Sequence, residues 1–167
     1  GFKLNYVTTD VVLWLETILH PFRPAFEKEN KHFSLTLPDT PFEACLDREA
    51  FAKIVSNMLS NALKYSDSRI SLELLPPVGE ERMFTLLVTN DGHLIPESEA
   101  ENIFNPFYRL KETENRQGSG IGLSFAKVLI ERHGGTIGAM NNADGGATFF
   151  FELPLDTAND DPSNEEN

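Results

Sequence analysis

At 167 residues, 40% of them hydrophobic, the chain is long enough for one globular domain that buries about two thirds of its unfolded surface. Its 14 basic and 26 acidic residues leave a net charge of −12, which argues against a surface built to grip nucleic acid or anionic lipid. The single cysteine, Cys45, excludes an internal disulfide and fits a reducing compartment, and its apolar neighbours mark it as a core thiol rather than a nucleophile.

No apolar run approaches the ~20 residues of a membrane span and no signal peptide opens the chain, so the fragment is expected to be soluble and free of membrane contact. Five acids (Asp156, Asp160, Asp161, Glu165, Glu166) lie in the last twelve residues without a base, leaving about −7 for the rest. The expected division is therefore a domain over 1–155 and an acidic, disordered tail or linker over 156–167.

In chain order, Val11, Val12, Leu13, Leu15, Ile18 and Leu19 predict a helix capped near Thr9 or Asp10. Phe22 and Phe26 continue its apolar side, and Pro21 and Pro24 must bend or split it. Phe33 to Leu37 alternates as a strand, and Phe42 to Leu46 reads as a second, joined to it through the turn from Pro38 to Pro41. Asp47 to Tyr65 is the most regular helix, with Asp47 as its N-cap and an apolar stripe at Phe51, Ile54, Val55, Met58, Leu59, Ala62 and Leu63. Beside that stripe Asn57, Asn61 and Lys64, offset by four and seven residues, project within one narrow sector. One face packs and its neighbour can hold a ligand, although a solvated asparagine pair is the plainer alternative.

Ile70 to Leu75 and Met83 to Thr89 are two further strands across a hairpin-length gap carrying Pro76, Pro77 and Gly79. From Asn90 to Gly118 no periodicity is sustained, which in a compact domain marks a functional loop or lid. A helix follows through Ile121, Phe125, Val128, Leu129 and Ile130, ended by Gly134 and Gly135. Thr136 to Met140 and Ala147 to Leu153 close the chain as a hairpin around 141–146. These elements predict an α+β fold: a two-layer α/β sandwich in which three helices cover a mixed, largely antiparallel sheet of about five or six strands.

The run Gly118-Ser119-Gly120-Ile121-Gly122-Leu123 at a helix start is a candidate phosphate cradle, since small residues let backbone N–H groups and the positive helix end approach an anion. A flexible hinge is its simpler alternative. It is not a P-loop, and Leu123 in the place of a third glycine excludes a dinucleotide fingerprint.

Five segments together resemble the N, G1, F, G2 and G3 boxes of sensor histidine kinase catalytic domains, members of the GHKL ATPase superfamily with the Bergerat fold. They are Asn57 to Tyr65; Asn90-Asp91-Gly92 with Ile95-Pro96; Ile103 to Arg109; Gly118 to Leu123; and Gly145 to Phe149. The resemblance covers about residues 4 to 154. It implies ATP held between helices under a mobile lid, with Asn61 ligating Mg²⁺, Asn57 and Lys64 on the phosphates, and Tyr65 on the nucleoside. It also implies that Asn90, Gly92 and Ile95 border the base, that Gly118, Gly120, Ile121, Gly122 and Leu123 border the phosphates, and that Phe104 and Phe107 anchor the lid. Arg109 would reach the γ-phosphate, making Lys64 and Arg109 the catalytic pair, with Lys111 and Arg116 as further positive charges. Thr148 resembles the residue near the adenine, or is a strand threonine facing the core.

The pattern is broken in places. The adenine-reading position is normally Asp and here is Asn90, because Asp91 would sit directly against the glycine; the box's second glycine has become Leu94, and His93 reads as a loop residue. A neutral hydrogen bond in place of a charged one differs by about 1 kcal/mol, which predicts weakened or re-tuned ATP binding rather than its loss. Hydrolysing members of the superfamily carry Glu where Asn57 stands, and an amide has no basicity to activate water. Transfer to a histidine requires chiefly positioning and charge stabilisation. His20, His32, His93 and His133 precede Pro, Phe, Leu and Gly, whereas the family's acceptor histidine precedes an acidic residue. The acceptor is therefore expected on a helical hairpin of a longer protein, and the fragment should bind nucleotide while barely autophosphorylating alone. The resemblance further implies a homodimeric, membrane-anchored sensor whose cytoplasmic catalytic domain serves a response regulator receiver domain. The acidic tail could lead into such a domain, as in hybrid sensors. The rival readings are an ATP hydrolase of the same superfamily and a degenerate protein-contact module without nucleotide.

Overall fold

The computed structural model describes residues 3–99, 102–105 and 122–157. The chain begins with β1 (Val7–Asp10), followed directly by α1 (Val11–Leu19), whose N-cap Asp10 accepts a hydrogen bond from the Leu13 amide at 3.0 Å. Pro21 and Pro24 split the helix as expected: a single 3₁₀ turn, His20–Phe22, and then α2 (Arg23–Lys28) each take a proline near the start, where no N–H is missed. After β2 (His32–Thr36) and β3 (Glu43–Leu46) comes α3 (Arg48–Tyr65), capped by Asp47, whose Oδ1 accepts from the Ala50 amide at 2.8 Å. Then follow β4 (Arg69–Leu75), β5 (Met83–Asn90), α4 (Gly122–Arg132), β6 (Thr136–Asn141) and β7 (Ala147–Pro154).

Five strands form a mixed sheet in the order β2-β4-β5-β7-β6, with only the β2–β4 pair parallel, and β1 and β3 form a separate antiparallel pair. The architecture is the expected α+β sandwich. Its pairing corrects the sequence reading at one point, because β2 and β3 lie in different sheets and β1, hidden in the polar start, supplies the partner of β3. The alternation Phe84, Leu86, Val88, Asn90 turns one side of β5 inward, and the α3 stripe packs on that side. Phe51 of α3 meets Phe84 and Phe151 at ring-centroid distances of 6.3 and 6.1 Å, all three fully buried. Each such ring contributes about 1.5–3 kcal/mol on burial.

The body extends to Thr157. The Leu155 amide donates to Arg82 O, Asp156 pairs with Arg82, and the buried Thr157 hydroxyl donates to Cys45 O at 3.0 Å. Cys45 is half-buried on β3 rather than a fully enclosed core thiol. No helix among the described residues is long and apolar enough to cross a membrane.

Candidate functional site

Asn57, Asn61, Lys64 and Tyr65 all lie on the second half of α3, each half-buried, as their spacing requires. The Lys64 ammonium lies 5.8 Å from the centre of the Tyr65 ring, a cation–π contact that keeps the charge at the helix end. Gly122 opens α4 against this face: a methyl group there would lie 3.7 Å from the Asn57 side chain. The start of α4, with its outward N–H groups, therefore adjoins the asparagine sector. Leu123, half-buried, packs against the core and fixes that end of α4.

The strand ends close in from the other side. Gly92 abuts the last turn of α3 so tightly that any Cβ would collide with the Tyr65 carbonyl oxygen. Gly146, at φ +82°, packs on the Asn90 carbonyl in the same manner, and only glycine meets both conditions there. Between them Asn90, 3% exposed, turns its Oδ1 back to accept the Gly92 amide at 2.8 Å. Cross-strand register sets Ile70, Asn90 and Ala147 side by side on the face that α3 covers.

Asp91, one residue on, does different work. Its carboxylate accepts from the amides of Asp67, Ser68 and Arg69 and from the Ser68 hydroxyl, tying the α3–β4 connection to the end of β5. Burial alone would raise its pKa, but these hydrogen bonds outweigh it and hold the carboxyl well below the usual carboxylate range. The residue is committed to the scaffold through these bonds.

Asn141, at the end of β6, carried no signal in sequence beyond its place beside a turn. Its side chain bonds both backbone groups of Ile95, accepting from the amide at 2.6 Å and donating to the carbonyl at 2.7 Å. Ile95 is buried, and this clamp on its backbone fixes the chain just after Gly92. Further along, Ile103 is buried and Phe104 half-buried against the core.

Thr148 is not brought to this cluster. It pairs with Thr89 on the opposite face of the sheet, where its hydroxyl lies 2.8 Å from that of Thr89 and donates to Asn142 Oδ1 at 2.8 Å. The residue beside Asn90 is Ala147, because adjacent strand positions point to opposite faces. A polar cleft of about 390 Å³ is lined by Ser34, Ser71, Thr89, Asn90, Asp91 and Asn142 among others and by no residue of α3. Phe107, Arg109, Lys111, Arg116, Gly118, Gly120 and Ile121 lie outside the described residues.

No three His, Cys, Asp or Glu side chains converge on a metal site among the described residues. The donors on the α3 face are amide oxygens, which suit a hard cation that draws its other ligands from phosphates and water.

In sequence and fold the chain is similar to known proteins. The family model described as histidine kinase-, DNA gyrase B-, and HSP90-like ATPase covers residues 46–157. The sensor histidine kinase WalK of Bacillus subtilis is 29% identical over 98% of this chain, and the sensor protein VanSC of Enterococcus gallinarum 34% identical over 91%. The chain spans 27% and 41% of those two proteins. Among solved structures, the catalytic domain of histidine kinase ThkA superposes with a TM-score of 0.80 at 25% identity, covering 92% of this chain and 97% of that one.

Proposed function

Because the chain belongs to the histidine kinase-, DNA gyrase B-, and HSP90-like ATPase family, as an ATPase domain of the sensor histidine kinase kind, we propose that it binds Mg²⁺ and ATP on the α3 face and delivers the γ-phosphate to a histidine on a helical hairpin of the same full-length protein. The observation that supports this reading most is the convergence of three distant segments: α4 opening on Asn57, Gly92 locked on the Tyr65 carbonyl, and Gly146 locked on Asn90. Such crowding is tolerated where backbone groups must stand close around a ligand.

Within that reading the Asn61 carbonyl oxygen holds the cation and Asn57 and Lys64 contact the phosphates. Tyr65 borders the nucleoside; Asn90, Gly92 and Ile95 border the base. Gly118, Gly120, Ile121, Gly122 and Leu123 contribute backbone at the phosphates, and Phe107 and Arg109 close over them from the lid. The bound cation supplies charge neutralisation of the triphosphate. Lys64 and Arg109 stabilise charge on the moving phosphoryl group, and Asn57, lacking basicity, leaves water unactivated. Transfer is thereby favoured over hydrolysis. In the full-length protein the domain works within a homodimeric, membrane-anchored sensor on its cytoplasmic side and serves a response regulator receiver domain.

Calorimetric titration of ATP, with and without Mg²⁺, into the chain and into Asn61→Ala tests the assignment. Wild type should bind more tightly with the cation, and the substitution should abolish the difference. Magnesium dependence that survives in the variant would remove Asn61 from the metal role, and absence of nucleotide binding in wild type would remove the function.

A further inference from the structure

The connection from α3 to β4, Ser66 to Arg69, is held along its whole length. The amides of Asp67, Ser68 and Arg69 donate to the Asp91 carboxylate at 3.0, 2.9 and 2.9 Å. The carbonyls turn to another partner: Ser66 O and Asp67 O each accept from the Lys31 ammonium at 2.8 Å, and Ser68 O accepts the His32 amide at 2.8 Å. Every backbone N–H and C=O from the Ser66 carbonyl to the Arg69 amide is therefore bonded, the amides to a fixed negative charge and the first two carbonyls to a fixed positive one. Ser66 is anchored through its backbone alone, since its Oγ is sealed from solvent and has no hydrogen-bond partner among the described residues.

The end of α2 brings Lys31 to this place. Asn30, at φ +58°, takes the left-handed turn that closes the helix, and the amides of Asn30 and Lys31 return to Glu27 O and Phe26 O. Lys31 lies upstream of all five box segments, yet its charge meets the chain directly after Tyr65. Lys64 and Tyr65, the two residues before Ser66, are joined by the cation–π contact, and Gly92 closes on the Tyr65 carbonyl. A shift of Ser66 is thus passed to both of them.

We infer that Lys31 is a positioning residue of the nucleotide site: by clamping Ser66 O and Asp67 O, its ammonium holds the last turn of α3, and with it Lys64 and Tyr65, ready for a nucleoside triphosphate. The inference rests on the reading above that Mg²⁺ and ATP occupy the α3 face. With its ammonium spent on two carbonyls, Lys31 acts through Lys64 and Tyr65 rather than on the ligand. A helix end frays when the chain leaving it is loose, and a ligand that must re-order the end binds more weakly. Withdrawing a charged donor from these carbonyls corresponds to about tenfold in affinity when that order has to be restored on binding.

The test is calorimetric titration of ATP with Mg²⁺ into wild type, Lys31→Met and Lys31→Arg, with urea unfolding establishing that each variant is folded under the titration conditions. Lys31→Met keeps an unbranched stem without the charge and should bind ATP about tenfold more weakly. Lys31→Arg keeps a cation with donors for both carbonyls and should stay within about threefold of wild type. Amide hydrogen exchange followed by NMR gives a second readout at Ser66, whose N–H returns to Ala62 O at 2.9 Å. Exchange there should be faster in free Lys31→Met than in free wild type, and saturating ATP should slow it more in the variant than in wild type. ATP affinity within about twofold of wild type in Lys31→Met, equal losses in the two variants, or Ser66 exchange unaltered by Lys31→Met would each overturn the inference and leave the nucleotide site standing. Failure of ATP to bind wild type would overturn the underlying reading, and the inference with it.

Discussion

Replacing His133 by Phe tests how the two ends of the helical layer are joined. His133 is 2% exposed at the C-terminal end of α4, where Nδ1 lies 2.8 Å from Leu129 O and Nε2 lies 3.1 Å from the Asp47 amide. Only one neutral tautomer serves both contacts: Nδ1–H donates and Nε2 accepts. Asp47 is the N-cap of α3 and also accepts the Asn5 amide at 2.7 Å, so this ring couples the end of α4 to the start of α3 and to the N-terminal segment. Phenylalanine keeps the ring volume and the edge-to-face contact with Tyr6, centred 5.2 Å away, but leaves the buried Asp47 N–H without an acceptor. The Leu129 carbonyl retains its helical bond from the His133 amide. The cost is thus one orphaned donor and one lost side-chain hydrogen bond, about 2 kcal/mol within a span of roughly 1–3.

The same ring gives the cost a pH signature. Burial lowers its pKa below the ordinary 6.5, with Arg132 acting in the same direction and the Leu129 hydrogen bond and Asp47 charge opposing. At pH 7.5 the ring is neutral folded or unfolded. As pH falls through 6.5 the unfolded chain takes up a proton that the folded one resists, so wild type loses stability toward the lowered folded value, by no more than about 1.4 kcal/mol at pH 5.5. His133→Phe lacks the group, and the other titrations cancel in the difference. Urea unfolding at the two pH values should therefore show a gap of about 2 kcal/mol at pH 7.5 that narrows at pH 5.5. A gap that stays constant or widens on acidification would refute the neutral, two-bond assignment.

Gly92→Ala should lower stability by about 1–3 kcal/mol and weaken nucleotide binding, because the methyl group must displace either the end of β5 or the last turn of α3; an unchanged unfolding midpoint would mean that the approach is looser than described. Asn141→Ala removes both bonds to Ile95, and amide hydrogen exchange at Ile95 should accelerate well ahead of global unfolding, which mass spectrometry can follow; unaltered exchange would show that the clamp is redundant. Thr148→Val should cost about 1 kcal/mol through the Thr89 and Asn142 partners while leaving nucleotide affinity within about twofold, and a tenfold loss of affinity would contradict its assignment to the far face.

The sequence was most readable where one periodicity ran long enough to select a single answer. Asp47 to Tyr65 spans five turns of stripe with its cap, and the structure departs from that expectation nowhere along its length. β1 was invisible because four residues carry too little alternation to count, and its burial pattern contains only one enclosed side chain, Thr9. Pairing was equally hidden. Phe33 to Leu37 and Phe42 to Leu46 look like a hairpin by proximity, yet β2 runs parallel to β4, a partner set by tertiary packing rather than by any turn. At the site, the asparagines of α3 were legible because their positions follow helical geometry, whereas Asn141 acts through backbone groups of Ile95, and backbone partners leave no trace in side-chain spacing.

Thr148 and Ala147 show what finer resolution the sequence lacks. On a strand the unit of meaning is parity: one residue of shift moves a side chain to the other surface of the sheet. Motif spacing assigns Gly145 to Phe149 to one box, but register alone decides which of two adjacent residues stands beside Asn90. That register is enforced by packing on the face that α3 covers and at the turn before β7. A slip by one would turn Phe149 and Phe151 outward and drive Gly146 off the Asn90 carbonyl, losing two large buried side chains and a contact that only glycine permits. At about 1.5–3 kcal/mol per ring the slipped form is excluded, and the hydroxyl is therefore held on the far face. The hydrophobic core thus determines the polarity of that row: by fixing which face each residue of β7 presents, it sets Ala147 rather than Thr148 beside Asn90.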